Sequence, residues 1–157
     1  MTPRFRRVVT GHDEHGKAKV MIDGLVPNVS SGHPGHSSHV IWATTDLPVE
    51  IVEDGEDKGA REIGTTIENG SVFRIVESAP GVSPRNHRTE SIDYAVVMSG
   101  EIDMGLDDGE QVHLRAGDVL VQRGTIHNWE NHGNEPCVIA FILISSKPLE
   151  QVGRAIG

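Results

Sequence analysis

Apolar and polar positions alternate in short runs from Gly70 to Ile144, and the runs are separated by segments rich in Gly and Asx. A period of two over runs of this length predicts β-strands rather than helices. The expected strands are Ser71–Glu77, Pro84–Thr89, Ile92–Met98, Ile102–Leu106, Gln111–Leu114, Val119–Gln122, Ile126–Glu130 and Cys137–Ile144. The intervening SGE, DDGE, RAGD, RGT and NHGNEP segments supply the residues that reverse a chain. Strands spaced this closely predict an all-β sandwich or small barrel. The last run, CVIAFILI, does not alternate. It predicts a strand covered on both faces, by the core on one side and by the N-terminal segment or a second subunit on the other.

Before Gly70 the pattern weakens. Short strands are expected around Arg6–Thr10, Ala18–Ile22 and Val40–Thr44. The stretch PNVSSGHPGHSSH (27–39) and the charged EDGEDKGARE (53–62) both read as surface loops. His33, His36 and His39 are therefore expected on a solvated loop, and His12, His15, His113 and His132 at or near the surface. No repeat, heptad or amphipathic helix is evident. The expected organisation is N-terminal strands and loops over 1–70, a barrel over 71–146 and a tail over 147–157, within one structural domain.

Composition narrows the functional classes. The 157 residues carry 23 acidic and 14 basic side chains, a net charge of −9. Beyond Arg4, Arg6 and Arg7, expected on a solvated segment, no basic cluster is present, which argues against a nucleic-acid binder. No apolar stretch approaches the ~20 residues that span a bilayer, so no membrane partner and a cytoplasmic location are expected. Cys137 is the only cysteine and sits within the last apolar run, where it reads as a small buried hydrophobe. Aromatic residues are 4% of the chain, too few to suggest a flat-ring pocket.

Candidate chemistry lies in two stretches. In HRTESIDYAVVMSG (87–100), His87, Thr89, Asp93, Ala95 and Val97 share parity and so one strand face. Ile92, Tyr94, Val96 and Met98 form the opposite, also apolar, face, and the strand is expected to be buried on both sides. A His and an Asp directed into a barrel are costly unless paired, hydrogen-bonded or bound to a metal. In GDVLVQRGTIHNWEN (117–131), tight turns deliver His127, and Trp129 shares its parity. Trp129 can wall the pocket or pack in the core. Arg85 shares parity with His87 and can bind a carboxylate or phenolate. Arg88 has the opposite parity and is expected to point away. Gln122 is a further polar lining candidate.

These two stretches resemble the two signature motifs of the cupin superfamily, and the chain is similar to small single-domain, RmlC-like cupins. The first motif, G-x5-H-x-H-x3–4-E-x6-G, is matched by Gly81, His87, Thr89, Asp93 and Gly100. The second, G-x5-P-x-G-x2-H-x3-N, is matched by Gly117, Gly124, His127 and Asn131. Its two halves stand one residue closer, and Arg123 replaces the expected proline. The resemblance implies a double-stranded β-helix, the jelly-roll barrel, and a homodimer formed through N-terminal strands.

Metal-binding cupins use both His and the Glu of the first motif and the His of the second. Thr89 and Asp93 replace one His and the Glu here. The resemblance therefore implies only His87, Asp93 and His127 as ligands of a divalent ion, Fe, Mn, Ni or Zn. Two imidazoles and a carboxylate are the set that holds Fe(II) with open positions. Thr89 can hydrogen-bond a bound water or leave room for substrate. The expected activity is that of a metal-dependent enzyme on a small organic molecule, by oxygenation, isomerisation or decarboxylation. The alternatives are a metal-free His–Asp acid–base site catalysing isomerisation or cyclisation, and a non-catalytic small-molecule binding module.

Overall fold

The computed structural model describes residues 4–149. Its strands are β1 (Arg6–His12), β2 (Ala18–Leu25), β3 (Val29–Ser30), β4 (His36–Thr44), β5 (Ser71–Ser78), β6 (Ser91–Ser99), β7 (Glu101–Gly105), β8 (Gln111–Arg115), β9 (Val119–Arg123), β10 (Asn128–Glu130) and β11 (Cys137–Ser145). A 3-10 turn at Asp107–Gly109 is the only helical element among the described residues. Residues 150–157 of the expected tail lie outside the described residues.

A six-stranded sheet, ordered β3-β4-β5-β11-β6-β9, faces a three-stranded sheet, β10-β7-β8, and β1-β2 form a separate hairpin. The strands pair antiparallel. Short turns make this topology possible. The β6–β7 reversal needs Gly100, whose φ is +75°. A Cβ there would lie 2.5 Å from the Pro136 carbonyl oxygen, so both backbone conformation and space demand glycine. Ala95, Val97, Ile102, Met104, Leu114, Trp129, Cys137 and Ile139 form the core between the two sheets.

The N-terminal section contributes to the barrel. β3 and β4 are hydrogen-bonded into the large sheet, while Phe5 and Val26 pack outside it against Ile41, Ile75, Val138 and Ala140. This supplies the predicted second covering of the last strand, but only over part of its length.

Four expectations need correction. Pro84–Thr89 is not a strand; it makes one isolated bridge, His87 to His127. The loop expected over 27–39 holds β3 and the start of β4, and His39 is only 2% exposed. The His39 ring packs edge-on to Phe5 at 4.8 Å, so a polar-looking stretch runs into the interior. Arg7 is buried rather than solvated. Its guanidinium donates to the Ile41 carbonyl at 2.8 Å and pairs with both oxygens of Asp57, which satisfies the buried charge.

The fourth correction concerns β6. Its inward face is buried as expected, with Asp93, Ala95 and Val97 each at 5% exposure or less. Its outward face is open: Tyr94, Val96 and Met98 are 46, 45 and 47% exposed. The N-terminal segment stops short of it. In register across four strands, Phe73, Ile142, Tyr94 and Val121 form one exposed row, and Val96 and Val119 extend the patch to the sheet edge.

Candidate functional site

Strand register builds the site from inside the sheet. Val72 on β5, Leu143 on β11, Asp93 on β6 and Gln122 on β9 lie opposite one another in one inward row. Arg74, Phe141, Ala95 and Leu120 form the next. Polar groups thus interrupt an otherwise apolar floor. His87 and His127 enter from the side on two irregular segments, joined by their bridge. The result is a cavity of about 480 Å³. His87, Thr89, Asp93, Gln122, His127, Trp129 and Arg85 all line it, so every residue singled out for the site from the sequence is in one place. Arg88 is buried, 3% exposed, and is not among the cavity's lining residues, as its parity predicts.

The two imidazoles are held alike. His87 Nδ1 donates to the Arg85 carbonyl at 3.1 Å, and His127 Nδ1 donates to the Thr125 carbonyl at 2.9 Å. A carbonyl can only accept, so each ring carries a proton on Nδ1, and in the neutral ring the Nε2 lone pair is left available. The ring centroids are 4.3 Å apart. Burial pushes the His127 pKa down to about 4, against the raising effect of the Thr125 hydrogen bond and with a smaller lowering from His87. His127 is therefore neutral at neutral pH. Trp129 stands edge-on to His127 at 5.7 Å and to Phe141 at 6.0 Å. It both walls the cavity and belongs to the core, so its two sequence readings hold together.

Asp93 is 5% exposed. Ser91 Oγ donates to its Oδ1 at 2.5 Å, and Thr89 Oγ1 lies 2.8 Å from Ser91 Oγ. Burial raises the Asp93 pKa, more than the Ser91 hydrogen bond and the charge of His87 lower it. Thr89 thus supports the carboxylate through Ser91. Gln122 donates from Nε2 to Met104 Sδ at 3.1 Å, which ties the two sheets together, while its buried Oε1 has no partner.

The donor chemistry can be tested against a divalent metal. Two Nε2 lone pairs fixed by backbone carbonyls behind them are the usual preparation of metal-ligating His. His87 and His127 therefore fit two ligand positions. Among the described residues, however, no three His, Cys, Asp or Glu are grouped closely enough to hold an ion. Asp93, turned to Ser91, does not join the imidazoles as the ligand set implied by the motifs requires.

Three cavity residues escaped the sequence reading. His33 and His36, with rings 5.1 Å apart, line the cavity rather than a solvated loop. Arg74 lines it from β5. The signal for Arg74 was present: Val72 and Val76 share its parity, so a charge interrupts an inward row. The remaining surface histidines behave as expected; His113 is exposed and held by Asp103 at 2.7 Å.

Comparison with known proteins places the chain. Residues 74–144 match the family described as "Cupin domain". The "Phomopsin biosynthesis cluster protein C'" of Diaporthe leptostromiformis is 38% identical over 96% of this chain and 84% of its own length. The cupin-domain-containing oxidoreductase fogC of Aspergillus ruber is 36% identical over 96% and 77%. Among solved structures, an uncharacterized conserved protein from Klebsiella pneumoniae with a double-stranded beta-helix domain superposes with a TM-score of 0.53. It is 21% identical and covers 76% of this chain and 84% of that one, a likeness that speaks to fold alone. The two sheets described above are that double-stranded β-helix, and with relatives more than a third identical along nearly its whole length, this protein belongs to the cupin family.

Proposed function

We propose that the protein is a cupin oxidoreductase that transforms a small organic molecule in the cavity beside His87 and His127, as a step in the biosynthesis of a secondary metabolite. Relatives named as cupin-domain-containing oxidoreductases and as biosynthesis-cluster proteins support the reaction class and setting. The observation that carries the site is the matched pair of imidazoles, each with Nδ1–H spent on a carbonyl two residues upstream. In this reading His87 and His127 would hold a divalent ion, Fe, Mn, Ni or Zn, and Asp93 would complete the set only by turning from Ser91 toward the imidazoles. Such an ion would supply Lewis-acid or redox chemistry at the substrate. The chain's own residues do the rest. Trp129 and Phe141 exclude water from one wall, Gln122 Oε1 offers an unused acceptor, and Thr89 and Ser91 hold the carboxylate.

A second reading is favoured by one observation, the pairing of Asp93 with Ser91 apart from the imidazoles. Here His127, neutral and with a free Nε2, is the base of a metal-free acid–base site with His87 and Asp93. Turnover of a panel of aromatic and keto-acid substrates before and after chelation separates the two. Activity lost on chelation and restored by one metal supports the first, and activity that survives supports the second. Binding without turnover across the panel would leave a non-catalytic binding module.

The homodimer is likewise a proposal, with the open outer face of β6, β9 and β11 as its contact. Phe73, Ile142, Tyr94, Val121, Val96 and Val119 form one contiguous exposed apolar patch there, the kind of surface that a second copy would cover.

A further inference from the structure

The charge inside the cavity is opposite to that of the chain. The protein carries a net charge of −9, yet the cavity wall holds two arginines, Arg74 and Arg85, against one acid, Asp93. Asp93 is buried and engaged by Ser91.

The two arginines differ. The Arg74 guanidinium gives its hydrogen bonds to neutral acceptors only: Ser38 Oγ at 3.2 Å and the carbonyls of Gly64 and Thr65 at 2.5 and 3.1 Å. Among the described residues no carboxylate neutralises it, and its half-buried charge stays in the wall. Its contacts fix the 64–65 segment at the cavity, so it anchors structure and contributes field. Arg85 is exposed, and no described residue pairs with its guanidinium; its backbone carbonyl accepts from His87 Nδ1. His36 lines the same cavity, and burial first, then His33 and the charge of Arg85, lower its pKa. Aromatic and aliphatic surface from Trp129, Phe141 and Leu143 lines the same space.

We propose that the cavity selects a small carboxylic acid, with its carboxylate on the Arg85 fork and its apolar body against Trp129 and Phe141. This rests on the reading above that the cavity is the substrate site, and it names the substrate class. A planar fork facing a single anionic group suits a carboxylate, which it can engage with two parallel hydrogen bonds. Phosphate sites usually add a helix N-terminus or a glycine-rich nest of N–H groups. Among the described residues the only helical element is the three-residue turn at Asp107–Gly109, and it is not among the cavity's lining residues. Arg85 is thus a specificity residue.

The test uses cinnamate, cinnamamide and phenyl phosphate as probes, titrated by protein-observed NMR into the full chain after EDTA treatment. Working on chelated protein keeps a metal from capturing the carboxylate, and measuring binding rather than turnover separates this proposal from the metal reading. Cinnamate is expected to bind at least ~10-fold more tightly than cinnamamide, as befits a charge-assisted pair. Arg85→Gln should remove that difference while leaving cinnamamide unchanged, and Arg85→Lys should restore part of it. Equal binding of acid and amide, or a preference that survives Arg85→Gln, would overturn the proposal. Tighter binding of phenyl phosphate than of cinnamate would overturn the carboxylate assignment. Because Arg85 is exposed, its variants are expected to fold.

Discussion

His87 and His127 are joined through the backbone in both directions: each N–H donates to the other's carbonyl at 3.0 Å, and their rings lie 4.3 Å apart. The bridge is made of main chain, so it does not depend on either imidazole. His87→Ala and His127→Ala are therefore expected to keep the barrel, with unchanged circular dichroism and a cost of about 1–2 kcal/mol from lost packing. Turnover in each should fall at least ~100-fold in either mechanism, because each removes one Nε2 from the site. Wild-type-like turnover in either variant would remove the pair from the chemistry.

His39 gives a pH prediction outside the cavity chemistry. Burial lowers its pKa; Glu77 opposes the shift and Arg4 adds to it. A histidine depressed in the folded state favours the neutral form there, while the unfolded chain protonates near ~6.5. Its stabilisation is present above that pH and is lost as pH falls toward the folded value, by at most about 1.4 kcal/mol per unit. His36, also depressed by burial, and His127 slope the same way, so the difference between proteins is what matters. Urea midpoints from pH 7.5 to 5 should fall less steeply in His39→Gln than in the parent. Parallel curves would contradict this.

Asp57 is the partner of the buried Arg7, whose side chain is 5% exposed. Asp57→Ala leaves that guanidinium with the Ile41 carbonyl alone and should cost about 3 kcal/mol, as for other broken buried pairs. Replacing both residues, Arg7→Met with Asp57→Ala, should recover much of the loss in chemical denaturation. If the double variant is as unstable as the sum of the singles, the pair is not coupled.

The extent of what could be read beforehand follows from where the physics is local. Strands from β5 onward were legible because alternation and turn residues act within a few positions. That His87, Asp93 and His127 line one cavity was legible because motif spacing carries it. Arg7 was not, since its partner lies fifty residues away and no local pattern announces it. HSSH in β4 looked like loop because composition records polarity, not the Phe5 ring that packs on His39. The segment around His87 was overread as a strand; alternation continues through it, but only one bridge pairs it. The outer face of β6 was read as buried because apolar side chains do not say what covers them.

That outer face gives the assembly prediction. Val121 is 55% exposed and Tyr94 46% exposed, opposite one another on β9 and β6. If a second copy covers them, Val121→Lys with Tyr94→Lys should halve the mass in analytical ultracentrifugation while probe binding in the cavity persists. A parent chain that sediments as a monomer across micromolar concentrations would contradict the dimer.

The most direct measurement is the metal content of the parent, His87→Ala, Asp93→Ala and His127→Ala proteins, by elemental mass spectrometry on material purified without a His-tag or added metal. The metalloenzyme account predicts near one equivalent of Fe, Mn, Ni or Zn in the parent, lost from both histidine variants and reduced in Asp93→Ala. No metal in a folded parent, and no uptake on adding Fe(II), Mn(II) or Zn(II), would contradict it and leave the imidazole pair as an acid–base site.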